Sequence, residues 1–289
     1  MTVKTAEDEK EELKALLRQK KDESSKFVDY FQQDEDEIER SYFKDCAGTL
    51  NVDSVYMYQD YQATRAVLEY SLGVPTPPKL LDISSRLETA LFFSHTCEVT
   101  YVEPRVNCLF KELKPNGEWC AATIPSFELK LSEAQLLPFK ANSYDIVTCL
   151  HALEHFGLGR YGDELDYYGD QKGLKEFHRV LKPGGKLILS VPFGAKTEIQ
   201  FNRQRMYHPD TIDCMLKDFG FEKEDDHVIM PFEASGLFGD EVDEIRAVIY
   251  LERDAIIRAI ESEDLTFSSG KIPNSVYYVT ATKVKENSK

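Results

Sequence analysis

The sequence predicts an α/β fold organised on a mostly parallel sheet, and three stretches carry that expectation. Residues 144–150 (YDIVTCL) form a short, nearly continuous apolar run, as in a strand buried on both faces. A polar loop follows, then a helical pattern (Leu174, Phe177, Val180, Leu181), the stop Lys182-Pro183-Gly184-Gly185, and a second apolar run at 186–191. Together they make a βαβ unit with an expected right-handed crossover. Upstream, a strand at 79–83, the turn Ser84-Ser85-Arg86, a helix at 88–94 and a strand at 98–102 ending on Glu103 give a similar order.

The remaining elements are read in chain order. Residues 1–73 are expected to form a helical extension or lid, with Leu13, Leu16 and Leu17 on one face and Phe27, Tyr30 and Phe31 on another. A helix at 55–72 ends at Gly73 and a Pro-rich turn before the first strand. The main domain then spans 74–289. Residues 107–123, which hold the only tryptophan, Trp119, read as an inserted loop or hairpin. Phe127, Leu129 and Leu131 alternate as a third strand. A helix at 209–219 has Pro209 in its first turn and Gly220 past its end. Strands at 221–229 and 275–284 are expected to pair as an antiparallel edge. Between them lies an insertion at about 230–274 with one helix at 241–261. The expected sheet has seven strands with helices on both faces.

Composition narrows the function. A net charge of −16 over 289 residues argues against a nucleic-acid partner, because neutralising phosphates takes clustered Lys and Arg. The six cysteines are scattered without a C-x-x-C pair, and no apolar run approaches membrane-spanning length. The acidic N-terminus lacks the basic-then-apolar order of a signal peptide, so a reducing cytoplasm and no membrane association are expected. Nothing in the sequence sets the oligomeric state.

In open α/β sheets ligands sit beyond the carboxyl ends of the strands. That places His151, Glu154, His155, Arg160, Tyr161 and Asp163, which follow the 144–150 strand, where chemistry is expected. A tight turn, a helix N-terminus and an acid about twenty residues on suit a nucleotide, although serines stand where a G-x-G turn would have glycine. The cluster of His151, His155, Asp163, Asp166 and Asp170 matches no fixed ligand spacing, and no metal is expected.

The order of motifs resembles the class I S-adenosylmethionine-dependent methyltransferases, and within them the family described as DUF268. The likeness covers about 79–221. It is strongest from Leu137-Pro138-Phe139 through Glu154-His155-Phe156-Gly157-Leu158-Gly159-Arg160-Tyr161-Gly162-Asp163 to Val180-Leu181-Lys182-Pro183-Gly184-Gly185, with a further element at Phe201-Asn202 and Arg205-Met206-Tyr207. The resemblance implies a Rossmann-like methyltransferase fold with S-adenosyl-L-methionine as cofactor. It implies that Asp82, Ser84, Ser85 and Arg86 form the turn under the methionine portion, and that Glu103 accepts from the ribose hydroxyls. Glu133 and Ala134 would lie beside the adenine, and Leu150 and His151 near the transferable methyl group. Where this chain has Ser84, the family prefers glycine.

Methyl transfer requires positioning of the acceptor and, for a hydroxyl, removal of its proton. His155 and His151 are the candidate bases, with Glu154 orienting one of them or helping to hold the cofactor; the rival role for either histidine is a hydrogen-bonded core residue. Arg160, Tyr161 and Asp163 are expected to contact the acceptor, with Arg205 and Tyr207 on an opposite wall. An exposed basic loop is the alternative for the latter pair. The expected acceptor is a small molecule, foremost an oxygen of a sugar or related metabolite. A catalytically silent methyltransferase-fold scaffold is the alternative, motivated by Ser84 and the acidic extension. A dinucleotide oxidoreductase is disfavoured by the missing G-x-G-x-x-G turn.

Overall fold

An eight-stranded sheet dominates the computed structural model, which describes residues 6–20, 27–31, 33, 39–40, 54–104, 126–201, 203–234, 245–251, 253–262 and 275–284. In chain order the strands are β1 (Glu39–Arg40), β2 (Lys79–Ile83), β3 (Glu98–Val102), β4 (Phe127–Lys130), β5 (Tyr144–Leu150), β6 (Leu181–Pro192), β7 (Glu198–Phe201), β8 (Gln204–Met206), β9 (Phe221–Ala234), β10 (Ile245–Leu251) and β11 (Val276–Lys283). The helices are α1 (Ala6–Lys20), α2 (Ser54–Leu72), α3 (Leu87–Phe93), α4 (Gly169–Val180), α5 (Pro209–Asp218) and α6 (Arg253–Glu261). The main sheet runs β10-β9-β11-β6-β5-β2-β3-β4, and β1, β7 and β8 form a small second sheet.

Strands β2 to β6 are mutually parallel, with Leu81 facing Thr100 on one side and Val147 on the other. Their successive side chains enter opposite layers, as the pleat requires. Leu81, Val147, Leu187 and Leu189 pack with Leu174, Phe177 and Val180 of α4 and Ile212 and Met215 of α5. Leu80, Ile146 and Ile188 pack on the other face with Val55, Ala63 and Val67 of α2 and Phe93 of α3. Each such side chain contributes about 1.5–3 kcal/mol through burial, which explains why these strands read as continuous apolar runs.

The sheet departs from expectation in two ways. The strands at the two ends of the insertion do pair antiparallel, but β11 is interior, between β6 and β9. The edge position belongs to β10, which pairs antiparallel with β9 and raises the expected seven strands to eight. The helix expected at 241–261 is therefore partly strand: among the described residues Ile245–Leu251 extends the sheet and Arg253–Glu261 is helical. The β-branched, apolar IRAVIYL segment satisfies its backbone by joining the exposed edge of β9. Leu181, read as the end of a helix, is the first residue of β6.

The N-terminal region is bound to the core by side chains. Leu13 and Leu16 are fully buried. Gln19 accepts from Tyr167 N and donates to Leu165 O, while Gln171 bonds both Val28 N and Val28 O. Phe27 stacks on Tyr168 at 5.7 Å, and Phe31 meets Tyr167 and Tyr207 edge-on. The loop expected at 107–123, with Trp119, lies outside the described residues, as do residues 41–43 of the aromatic N-terminal stretch.

Candidate active site

The carboxyl ends of β2, β3, β4 and β5 converge on one cavity of about 150 Å³. Ser84 from the turn after β2, Glu103 from the end of β3, Glu133 and Ala134 from the segment after β4, and His151 and His155 from the loop after β5 all line it. Tyr161 and Asp163 complete the wall beside them, with Pro104, Gln135, Ala152, Phe156 and Gly162, which sequence reasoning had not assigned to a site.

The turn after β2 is built by internal polar contacts. Asp82 is fully buried and accepts from Thr148 Oγ1 at 2.6 Å and from Ser85 N at 3.0 Å. Burial pushes its carboxyl up to about 7. Ser85 is also buried; its Oγ accepts from Leu150 N at 3.2 Å and its carbonyl accepts from Tyr101 OH at 2.7 Å. These bonds lock β2, β3 and β5 together beneath the turn, so Asp82 and Ser85 shape it from behind. Ser84 alone of this group lines the cavity, and its φ of 52° lies in the left-handed region. That conformation accounts for a preference for glycine here. Serine is held there by two bonds to Val102 O, from its backbone N at 2.9 Å and its Oγ at 3.0 Å. Arg86 turns away from the cavity toward Asp60 of α2, at 3.4 Å. Leu150 is a core residue of the α2 face, not a wall residue.

The loop after β5 carries the titratable cluster. His151 has a φ of 54°, a left-handed conformation in a non-glycine residue at a cavity mouth. Its Nδ1 is 3.0 Å from Glu154 Oε1, and its Nε2 is buried without a hydrogen-bond partner among the described residues. Tyr56 of α2 meets its ring edge-on at 4.8 Å. Glu154 is 1% exposed. Burial alone would raise its carboxyl, but His155 and His151 beside it hold it below the ordinary glutamate range. His155 Nδ1 lies 2.8 Å from the carbonyl of Arg203, which can only accept, so Nδ1 carries the proton of the neutral ring. Its Nε2 is 3.5 Å from Glu154 Oε1. Burial pushes the His155 pKa down to about 4 despite Glu154, and Arg160 pushes it in the same direction.

Four expected acceptor contacts, Asp163, Arg205, Tyr207 and Arg160, are otherwise engaged, and Arg160 does not line the cavity. Asp163 touches the cavity, but its Oδ2 accepts from Gly157 N and Gly159 N and its Oδ1 from Tyr161 N, closing its own loop. Arg205 and Tyr207 are not on an opposite wall; both are completely buried. Arg205 donates to the carbonyls of Phe156, Asp166 and Tyr167 and faces Asp170, which also accepts from Tyr207 OH at 2.9 Å. An arginine is tolerated there because several carbonyls and a carboxylate replace its water. Its work is to brace the site loop from behind. Gly157 makes that loop possible: its φ is 75°, and a Cβ would stand 2.1 Å from Asp166 O. Arg160 donates to the Arg203 carbonyl at 2.9 Å and lies over the Tyr161 ring.

Helix α2 supplies contacts that local sequence pattern did not flag. Besides Tyr56, its buried Gln59 accepts from Ser190 Oγ at 2.7 Å, and Asp60 meets Arg86. The signal available was polar residues interrupting an apolar helix, which does not say where they point.

The strand order, with an antiparallel β11 inserted between β6 and β9, defines the Rossmann-like methyltransferase fold. Residues 127–227 match the family described as "Caenorhabditis protein of unknown function, DUF268". A demethylmenaquinone methyltransferase of Staphylococcus epidermidis is 39% identical over 72 residues, covering 25% of each chain. An uncharacterized protein of Methanocaldococcus jannaschii is 37% identical over 86 residues, covering 29% of this chain and 31% of that one. The chain thus spans between a quarter and a third of the length of the curated relatives that it matches. Among solved structures, a putative methyltransferase from Bacillus halodurans has a TM-score of 0.49 at 15% identity, covering 78% of this chain and 100% of that chain.

Proposed function

We propose that this chain transfers a methyl group from S-adenosylmethionine to an oxygen of a small polar acceptor, foremost a sugar or related metabolite. The observation that supports this best is the meeting of the Ser84 turn, Glu103, Glu133, Ala134, His151 and His155 on one cavity. Their chemistry fits the cofactor. Glu103 offers a carboxylate to the two ribose hydroxyls, Glu133 can accept from the adenine amine, and Ala134 gives that ring a small apolar neighbour. Carboxylates around the cavity also suit a positively charged sulfur. When bound, the cofactor supplies a methyl group on a sulfonium, which departs by accepting the carbon–sulfur electron pair. The chain's own part is to hold the acceptor in line and take its proton.

The test is transfer of tritium from methyl-labelled S-adenosylmethionine to a panel of sugars, phenols, amines and carboxylates by the full chain. Label in a hydroxyl compound supports the reading. Label confined to amines overturns the oxygen assignment. Cofactor binding with no transfer across the panel favours the silent scaffold.

A further inference from the structure

We infer that His151 is the group that takes the acceptor's proton, that Glu154 is its positioning residue, and that the acceptor atom is therefore a hydroxyl oxygen, of an alcohol or phenol. This deepens the methyltransferase reading and rests on it. Two histidines face the cavity, and they differ in what their nitrogens do. A carboxylate accepts, so the 3.0 Å contact from His151 Nδ1 to Glu154 Oε1 puts the proton on Nδ1. That leaves the Nε2 lone pair of His151 as the free basic atom, buried and with no hydrogen-bond partner among the described residues. An unpaired buried acceptor is costly, and that cost is relieved when a hydroxyl donor arrives. His155 is fixed the other way. Its Nδ1 proton goes to the Arg203 carbonyl, and its Nε2 looks toward the Glu154 oxygen already bonded to His151.

The strained backbone at His151 gives the second reason. A left-handed φ of 54° persists in a non-glycine residue only where the surroundings impose it. Here they do: His151 N donates to Ser190 O at 3.1 Å, Glu154 holds the ring from below, and Tyr56 packs against it from α2. The titratable and charged groups around the ring are thus Glu154 and His155 on its own loop and Tyr56 across from it, with Arg160 beyond His155.

The proton step balances. The acceptor O–H proton moves to His151 Nε2, its electron pair stays on oxygen to form the bond to the methyl carbon, and Glu154 offsets the imidazolium charge. A hydroxyl needs such a base; a carboxylate or phosphate acceptor is already ionised and needs none.

The primary test is a long-range proton–nitrogen spectrum of the full chain labelled at histidine nitrogens. We expect His151 as the Nδ1–H tautomer in the wild type, and a changed tautomer balance in Glu154→Gln. An Nε2–H tautomer, or one indifferent to Glu154→Gln, overturns the proposal whatever the activity. His151→Asn and His155→Asn supply the kinetic arm. Asparagine tolerates the left-handed backbone and can place a donor where Nδ1 was, while deleting Nε2 in each case. With the hydroxyl compound labelled in the panel, turnover should fall about 10²–10⁴-fold in His151→Asn with KM little changed, and far less in His155→Asn. The reverse ranking sinks the assignment. Calorimetric binding of S-adenosylhomocysteine by the wild type reports separately on the methyltransferase reading.

Discussion

Replacing Ser84 separates the backbone strain at the turn after β2 from the bond that offsets it. Holding an L-residue in the left-handed region costs about 1–2 kcal/mol, and Ser84 sits there with a φ of 52°. Its hydroxyl donates to Val102 O at 3.0 Å, worth about 0.5–1.5 kcal/mol net. Ser84→Ala keeps the strain and loses the bond, so stability should drop by about 1 kcal/mol. Ser84→Gly removes the strain and the bond and adds about 0.4–1 kcal/mol of unfolded-state entropy. It should therefore unfold within about 1 kcal/mol of the wild type. Ser84→Val, stiff at its branched Cβ, should be the least stable of the three. Equilibrium urea unfolding of the four chains gives the ranking directly. Ser84→Ala matching the wild type while Ser84→Gly gains more than about 1.5 kcal/mol would refute the reasoning, since the hydroxyl would then contribute nothing.

Further predictions concern pH and the brace behind the site. His155 and His227 are both pushed down to about 4 by burial, so each is neutral in the fold but protonated in the unfolded chain between about pH 6.5 and 4. Their stability contribution is present above that window and lost as pH falls through it. Asp82 runs the other way: raised to about 7, it is protonated in the fold where the unfolded chain is ionised, and its contribution is lost as pH rises through 7. Asp82→Asn should thus steepen the acid loss of stability by up to about 1.4 kcal/mol per pH unit, read by urea unfolding across the window; an unchanged slope contradicts the Asp82 shift. Arg205→Met should destabilise by about 3–5 kcal/mol through the stranded Asp170 carboxylate. An altered acceptor KM with unchanged stability would instead restore Arg205 to the acceptor wall. Gly157→Ala should lower the thermal midpoint sharply, beyond the effect of left-handed strain alone, because its methyl meets the Asp166 carbonyl. A folded, unshifted variant contradicts that packing.

Much of this architecture was legible because parallel strands buried on both faces leave a local signature. YDIVTCL at 144–150 is such a run, and the helix with Leu174, Phe177 and Val180 on one stripe could hardly face elsewhere. Glu103 was expected at the cavity because an acid at the tip of the second strand has a position set by the fold class, and Glu133 because of the family resemblance; both line it. What local pattern could not carry was pairing at a distance. Residues 245–251 are strand-like in composition, but they fell within the single helix expected at 241–261, and only pairing with the edge of β9 makes them a strand. Arg205 looked like a ligand-binding cation because nothing nearby in sequence reveals that carbonyls from 156, 166 and 167 converge on it. The same holds for Tyr56, which reaches His151 across almost a hundred residues. The ranking of the two histidines also turned on such partners, since Arg203 ties up one of them.

Isothermal titration of S-adenosylhomocysteine into the full chain and into Glu103→Ala tests the central claim most directly. The account predicts one-to-one binding by the wild type and at least a tenfold loss in Glu103→Ala, the equivalent of about 1.4 kcal/mol, with the variant still folded. No heat of binding at millimolar ligand, or equal affinity in the two chains, would contradict it.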